Sequence, residues 1–203
     1  MKPTRPVIPM SDVSAKITPR DIAPTVLPDD FLDSEVARAA RAFQLPAFDE
    51  LPDLPLYREQ VIAYIEQVLS PLADASDGPW LTPSMINNYV KTGLVPAPQK
   101  KLYRREQIAR LIIICIFKQF LPIPAIKRML RIQAVSYPVA VAFDYVGVEL
   151  SQAVRAAFSA SAPTPPDTAS VVTRESLLVR SAVAAFTSKA FLLTYLRFTG
   201  FER

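Results

Sequence analysis

The stretch Thr82-Pro83-Ser84-Met85-Ile86-Asn87-Asn88-Tyr89-Val90-Lys91-Thr92-Gly93-Leu94-Val95 decides how this chain is read. Thr82 offers a capping hydroxyl, and Pro83 suits the first helical position, where an amide hydrogen has no partner anyway. Gly93 marks the stop, because glycine enters the left-handed conformation past a last helical turn without steric cost. The helix predicted over 82–92 has two faces. Ser84, Asn87, Asn88 and Lys91 recur at i, i+3, i+4 and i+7 and form a polar stripe, while Ile86, Tyr89 and Val90 form the opposite one. Asparagine can hydrogen-bond adenine through two atoms, and serine and lysine suit phosphates or base edges. Surface helices carry Asn and Lys in any case, so the neighbouring sequence has to weigh in.

Outward from this helix, Leu94-Val95 and Leu102-Tyr103 flank the basic tip Pro96-Ala97-Pro98-Gln99-Lys100-Lys101. Two β-prone pairs around a basic turn predict a small wing. Arg104-Arg105 then open a helix, 104–120, that is apolar on nearly all sides and so is expected to be buried. Leu121-Pro122-Ile123-Pro124 breaks it, and 125–131 forms a short amphipathic helix. Residues 81–131 hold ten Lys/Arg against Glu106 alone, a net +9 inside a chain of +4. A basic segment in an otherwise acidic protein repels itself and is expected to face a polyanion, double-stranded DNA first of all. A solvated charged face is the alternative that charge alone leaves open. The DNA-facing set is therefore Ser84, Asn87, Asn88 and Lys91 in a groove, with Lys100, Lys101, Arg104 and Arg105 on flanking phosphates. Ile86, Tyr89, Leu94, Tyr103, Leu111 and Ile114 are the core expected to hold these elements.

The order short helix, Gly93-Leu94-Val95, basic wing, Tyr103, long apolar helix, short helix resembles the winged helix-turn-helix of MerR-type bacterial regulators. In that family the recognition helix ends in a Gly-Leu-Leu-like step, and a tyrosine follows the wing before a helix rich in Leu and Ile, here Ile108, Leu111 and Ile112. A hinge helix comes next, here 123–130. The string from Leu81 to Lys91, with Lys101-Leu102-Tyr103, more closely resembles a bacterial family labelled domain of unknown function eighteen thirty-six, itself considered MerR-like. The similarity covers about residues 56–132. It implies a cytoplasmic, homodimeric, sequence-specific transcription regulator. Three departures stand out. Asn87-Asn88-Tyr89 replaces an Arg-Tyr-Tyr run whose first two members reach phosphates, the inter-helix turn from Ser70 to Leu81 is long, and no sustained heptad follows the basic module.

The rest of the chain reads as mainly α. Residues 1–28 are proline-rich and predict an extended or disordered arm. A short helix is expected over 29–44, capped by Asp29 or Asp30, with Leu32, Val36, Ala40 and Phe43 inward. The segment 46–55 reads as an extended strap docking Phe48, Leu51 and Leu54. A helix over 56–72 carries the stripe Val61, Tyr64, Ile65, Val68, Leu69 and Leu72. Beyond Tyr137-Pro138, one helix to about 160 and another from Thr173, separated by the proline-rich breaker 161–167, predict a helical hairpin. Its inward residues are Phe143, Val146, Leu150, Val154 and Ala157 or Phe158 on one arm, and Leu178, Ala182, Ala185 or Phe186, Leu193 and Leu196 on the other. The expected division is an arm over 1–55, a winged helix-turn-helix over 56–132, and a hairpin over 133–203 that serves as a dimerisation element.

Composition disfavours other classes. The chain has no histidine, which removes the commonest general base and metal ligand. Its one cysteine, Cys115, lies in an apolar run and reads as inert. Four scattered glycines make no phosphate-binding loop. Neither an enzyme nor a cofactor is expected. The longest unbroken apolar run is Leu111 to Phe117, and the N-terminus lacks the apolar stretch of a signal peptide, so no membrane association is expected. The competing reading is a protein-interaction module that reuses the winged fold. Residues 1–80 carry 7 basic and 13 acidic residues and could cover the basic face.

Overall fold

The polar–apolar repeat Val61, Ile65, Leu69 turns three completely buried side chains to one side of a helix, Arg58–Leu69 (α3). In the computed structural model, which describes residues 29–159 and 166–200, this helix starts later than its sequence suggests. Leu56–Tyr57 is a short strand, β1, and the Gln60 side chain accepts the Tyr57 amide hydrogen at 2.9 Å, which fixes the helix start at Arg58. Strand β1 pairs antiparallel with Leu102–Tyr103 (β2), Leu56 opposite Tyr103. The expected partner of β2, Leu94-Val95, does not pair. Both of its amides are spent on the Tyr89 carbonyl, at 2.8 and 3.1 Å, closing the end of the preceding helix.

That helix is Pro83–Lys91 (α4). The Thr82 hydroxyl accepts from the Met85 amide at 3.2 Å, Pro83 takes the first position, and Gly93 sits at φ +66° just past the end. The Gly93 amide reaches Val90 and the Leu94 amide reaches Tyr89, the two bonds of a Schellman ending. The apolar helix runs over Arg105–Phe117 (α5) and is buried continuously from Gln107 to Phe117. Ile123–Ser136 (α6) is twice the length its proline-flanked sequence predicts, because Pro124 lies in its first turn, where proline is harmless.

Preceding these, Asp29–Asp33 (α1) and Glu35–Ala42 (α2) replace one continuous helix. Ser34 divides them, its hydroxyl capping the Ala37 amide at 3.2 Å. The break rotates the buried set to Phe31, Ala37, Ala40 and Phe43, leaving Leu32 and Val36 half-exposed. A single 3-10 turn, Phe48–Glu50, lies within the strap. Leu51 is buried, whereas Leu54, expected to dock, is 78% exposed. Val139–Ala157 (α7) and Arg174–Phe198 (α8) pack along one another as the hairpin, with Phe143, Val146, Leu150, Val154 and Phe158 inward as expected. On α8 the inward set is Ala182, Val183, Phe186 and Ala190, while Leu178 and Leu196 face out. The arm 1–28 and most of the breaker, 160–165, lie outside the described residues.

Helix α7 also packs on α2, α5 and α6, and α8 on α5 and on the 3-10 segment Ser70–Ala75. The buried residues therefore form one continuous cluster from Phe31 to Ala190. Two acids, Glu149 buried and Asp167 half-buried, hold the hairpin's return. Glu149 accepts from the Thr168 amide at 2.9 Å and from the Thr168 hydroxyl, and Asp167 accepts from Tyr145 and from the Ala169 amide, both at 2.9 Å. Arg180 lies 3.6 Å from each carboxylate. By length and composition alone α8 could cross a membrane, a property its interspersed Ser, Thr, Lys and Arg residues hide from a search for unbroken apolar runs. Here one side of it covers α7.

Candidate nucleic-acid interface

Helix α4 is fixed from both ends and from beneath. At its start, Glu66 of α3 accepts the Leu81 amide hydrogen at 3.1 Å. The long turn from Ser70 to Leu81 is occupied by the 3-10 segment and by Trp80, 2% exposed and packed on Phe186 of α8. Beneath it, Ile86 and Tyr89 are buried against α5 with Leu94, Tyr103, Leu111 and Ile114, the six residues expected to form this core. Burial pushes the Tyr89 hydroxyl up to about 12, and Cys115, fully buried, is likewise pushed up to about 12. A thiol held neutral in this way is no nucleophile.

With one face sealed, the other is left to solvent. Ser84, Asn87, Asn88 and Lys91 are all exposed, and among the described residues none of their side chains makes a hydrogen bond or ion pair. Two amides, a hydroxyl and an ammonium thus stand on one stripe with their bonding capacity unspent. At the far end, the Lys127 ammonium of α6 donates to the Thr92 carbonyl at 2.5 Å, placing a cation where the helix dipole is negative. Around that end a shallow cleft is bordered by Gly93, Leu94, Arg110, Lys127 and Arg131. Lys127 and Arg131 therefore join the basic surface beside Lys91. Sequence reading counted their charge, but their closeness to the end of α4 comes from the packing of α6 and left no trace in the local pattern.

The wing is a two-residue hairpin. Gln99 and Leu102 bridge antiparallel, the Leu102 amide donates to Gln99 at 2.9 Å, and Lys100 and Lys101 between them have φ of +51° and +67°. Two positive φ values mark a type I′ turn, for which Asn-Gly is the favoured pair. Lysine in this region costs on the order of 1 kcal/mol, and both ammonium groups project from the tip, exposed. The hairpin is anchored through Gln107, which accepts the Arg104 amide hydrogen at 2.8 Å and donates to the Pro96 carbonyl at 2.9 Å. Replacing the tip by Lys100→Asn/Lys101→Gly is expected to raise unfolding free energy by about 1 kcal/mol, read from a urea titration. An unchanged or lower midpoint would mean that the turn is not held in this form in solution.

The four flanking cations divide. Lys100, Lys101 and Arg104 are exposed, the Arg104 guanidinium donating to Gln99 at 3.4 Å. Arg105 points the other way. Its guanidinium donates to the Leu51 carbonyl and to Asp53, both at 3.1 Å, and lies over the Phe48 ring at 5.9 Å. It fastens the strap to α5. Lys118 is also withdrawn, half-buried with its nitrogen 3.2 Å from the Met85 sulfur, and burial lowers its pKa. Of the ten cations in 81–131, Lys91, Lys100, Lys101, Arg104, Arg128 and Arg131 are the exposed ones. Among the described residues no three His, Cys, Asp or Glu side chains gather as a metal site.

No curated protein and no solved structure matches the chain. Residues 46–142, which run from the strap through α3, α4, the wing, α5 and α6 into the first turn of α7, match the model of a family described as Domain of unknown function (DUF1836).

Proposed function

We propose that the protein is a sequence-specific, DNA-binding transcription regulator of MerR-like winged helix-turn-helix type, with α4 as the helix that enters a major groove. The observation that carries this reading is the stripe Ser84, Asn87, Asn88 and Lys91, exposed and without partners on a helix whose opposite face is buried and whose ends are fixed. A stripe of unspent amides has the chemistry of base-edge recognition. The lysine-tipped hairpin and Arg104 on one side, with Lys127 and Arg131 on the other, supply cations for the flanking backbone. Strand β1, entering just before α3, pairs with β2 behind the hairpin and so ties the wing to the first helix of the motif.

A homodimer goes with this reading, since one short helix in one groove gives little affinity and a two-fold site adds the binding free energy of a second one. Helix α8 offers a surface for it. Leu178, Ser181, Ala185, Ser188 and Leu192 are exposed at alternating three- and four-residue spacing, the geometry of a helix–helix seam. We place the protein in the cytoplasm, as a regulator of genes requires.

The test is selection of genomic fragments by the purified full-length chain at about 150 mM salt, where phosphate-only binding is weak. A shared motif with two-fold symmetry supports the reading, and no enrichment by a folded sample refutes it. With the motif in hand, Asn87→Ala and Asn88→Ala should each cost about 1–3 kcal/mol on the selected sequence and almost nothing on random DNA. Equal losses on both would remove these amides from base recognition.

One observation favours the interaction module instead. The strap already holds Arg105 through Asp53, so acidic residues N-terminal to the module do reach its basic segment.

A further inference from the structure

We propose that the half-open apolar cavity bordered by α5, α6, α7 and the start of α8 is a binding site for a small monocarboxylic acid with an apolar body. The cavity measures about 330 Å³, at the lower end of the range in which small ligands are held. Its walls are side chains such as Ile113 and Phe117 of α5, Met129 of α6, Val146 of α7 and Val179 of α8. Its mouth is open to solvent beside Tyr137, Val141 and Val171, so a ligand can enter without the helices parting.

The charges on the wall select the ligand's head group. Among the described residues Arg110 is the one cation and Glu175 the one acid that line the cavity. Glu175 is already matched, accepting from Arg174 at 3.0 Å and from Ser136 at 3.2 Å. Arg110 is not. It is half-buried, one turn before Ile113, and among the described residues no hydrogen bond or ion pair holds it. A guanidinium drawn partly out of water without a counterion, at the edge of an apolar cavity, fits a carboxylate, which its parallel N–H groups bind through two oxygens. The same residue borders the cleft at Gly93 and Leu94. A bound carboxylate would therefore lie one side chain from the end of α4. Any effect of the acid on DNA rests on the function proposed above, whereas the ligand site does not.

Calorimetric titration of the full chain with octanoate and with 1-octanol, which matches it in body but lacks its charge, tests the site without DNA. Octanoate should bind at least tenfold tighter. Arg110→Ala, or Arg110→Gln if the alanine variant melts early, should abolish that preference and leave the two ligands equal. Val179→Phe, which fills the cavity, should abolish both. No binding of octanoate, equal affinity of the two ligands for the native chain, a preference that survives the loss of Arg110, or undiminished binding to a folded Val179→Phe protein would each overturn the proposal.

Discussion

Phe31→Ala is expected to lower the unfolding free energy by about 3–5 kcal/mol, read as a shift of the urea midpoint at unchanged slope. The ring is completely buried although it lies in a five-residue helix at the edge of the described chain. It meets Phe191 and Tyr195 edge-on, at centroid distances of 5.6 and 5.1 Å, and is tilted against Phe158 at 6.3 Å and Phe198 at 5.4 Å. Such ring pairs contribute about 0.5–1.5 kcal/mol each beyond their buried area. For a domain of ordinary stability, about 5–15 kcal/mol, losing this one side chain is severe. Leu54→Ala, at an exposed position, should stay within about 0.5 kcal/mol of the native value. A loss below about 1 kcal/mol for Phe31→Ala would show that α1 does not dock on α8 in solution.

The second large effect concerns DNA. Removing Lys100, Lys101 and Arg104 together should reduce the slope of log affinity against log salt by about 2.7, about 0.9 for each phosphate contact, and weaken binding to random and selected duplexes alike by about 100-fold at about 150 mM salt. Arg105→Ala should behave in the opposite way. Its guanidinium is committed to Leu51, Asp53 and Phe48, so the salt slope stays and stability falls. A triple variant with the native slope would take the hairpin off the DNA, and an Arg105 variant with a reduced slope would mean that the strap releases it on binding.

Much of the site was legible from residues 82–95. The cap at Thr82, the proline behind it and Gly93 act through bonds within one helix, and such local chemistry is written in consecutive residues. The polar stripe followed from the helical period alone. What the sequence concealed is tertiary. Leu94-Val95 has the β-prone look of a wing strand, but its amides close α4, and the true partner of β2 is Leu56–Tyr57, on the far side of two helices in sequence. Arg104 and Arg105 are indistinguishable as letters, and only the docking of the strap turns one inward. The outward turn of Leu178 and Leu196 was hidden for a related reason. Helix α8 is apolar on several sides, so periodicity cannot say which of them α7 will choose.

The Phe31–Phe198 contact bears on how the chain assembles. A ribosome releases α1 before α7 and α8, yet the rings that surround Phe31 lie at the end of α7 and on α8. Until α8 has emerged, Phe31 lacks Phe191, Tyr195 and Phe198, three of the four rings around it, and α1, with five residues, is too short to persist alone. The strand pair and the helices it brackets need only a short loop to close, whereas joining the ends requires closure across almost the whole described chain. Helix α1 thus finds its place only after α8 has been made, and a nascent chain stalled within α8 would leave its most aromatic surface uncovered and prone to aggregation.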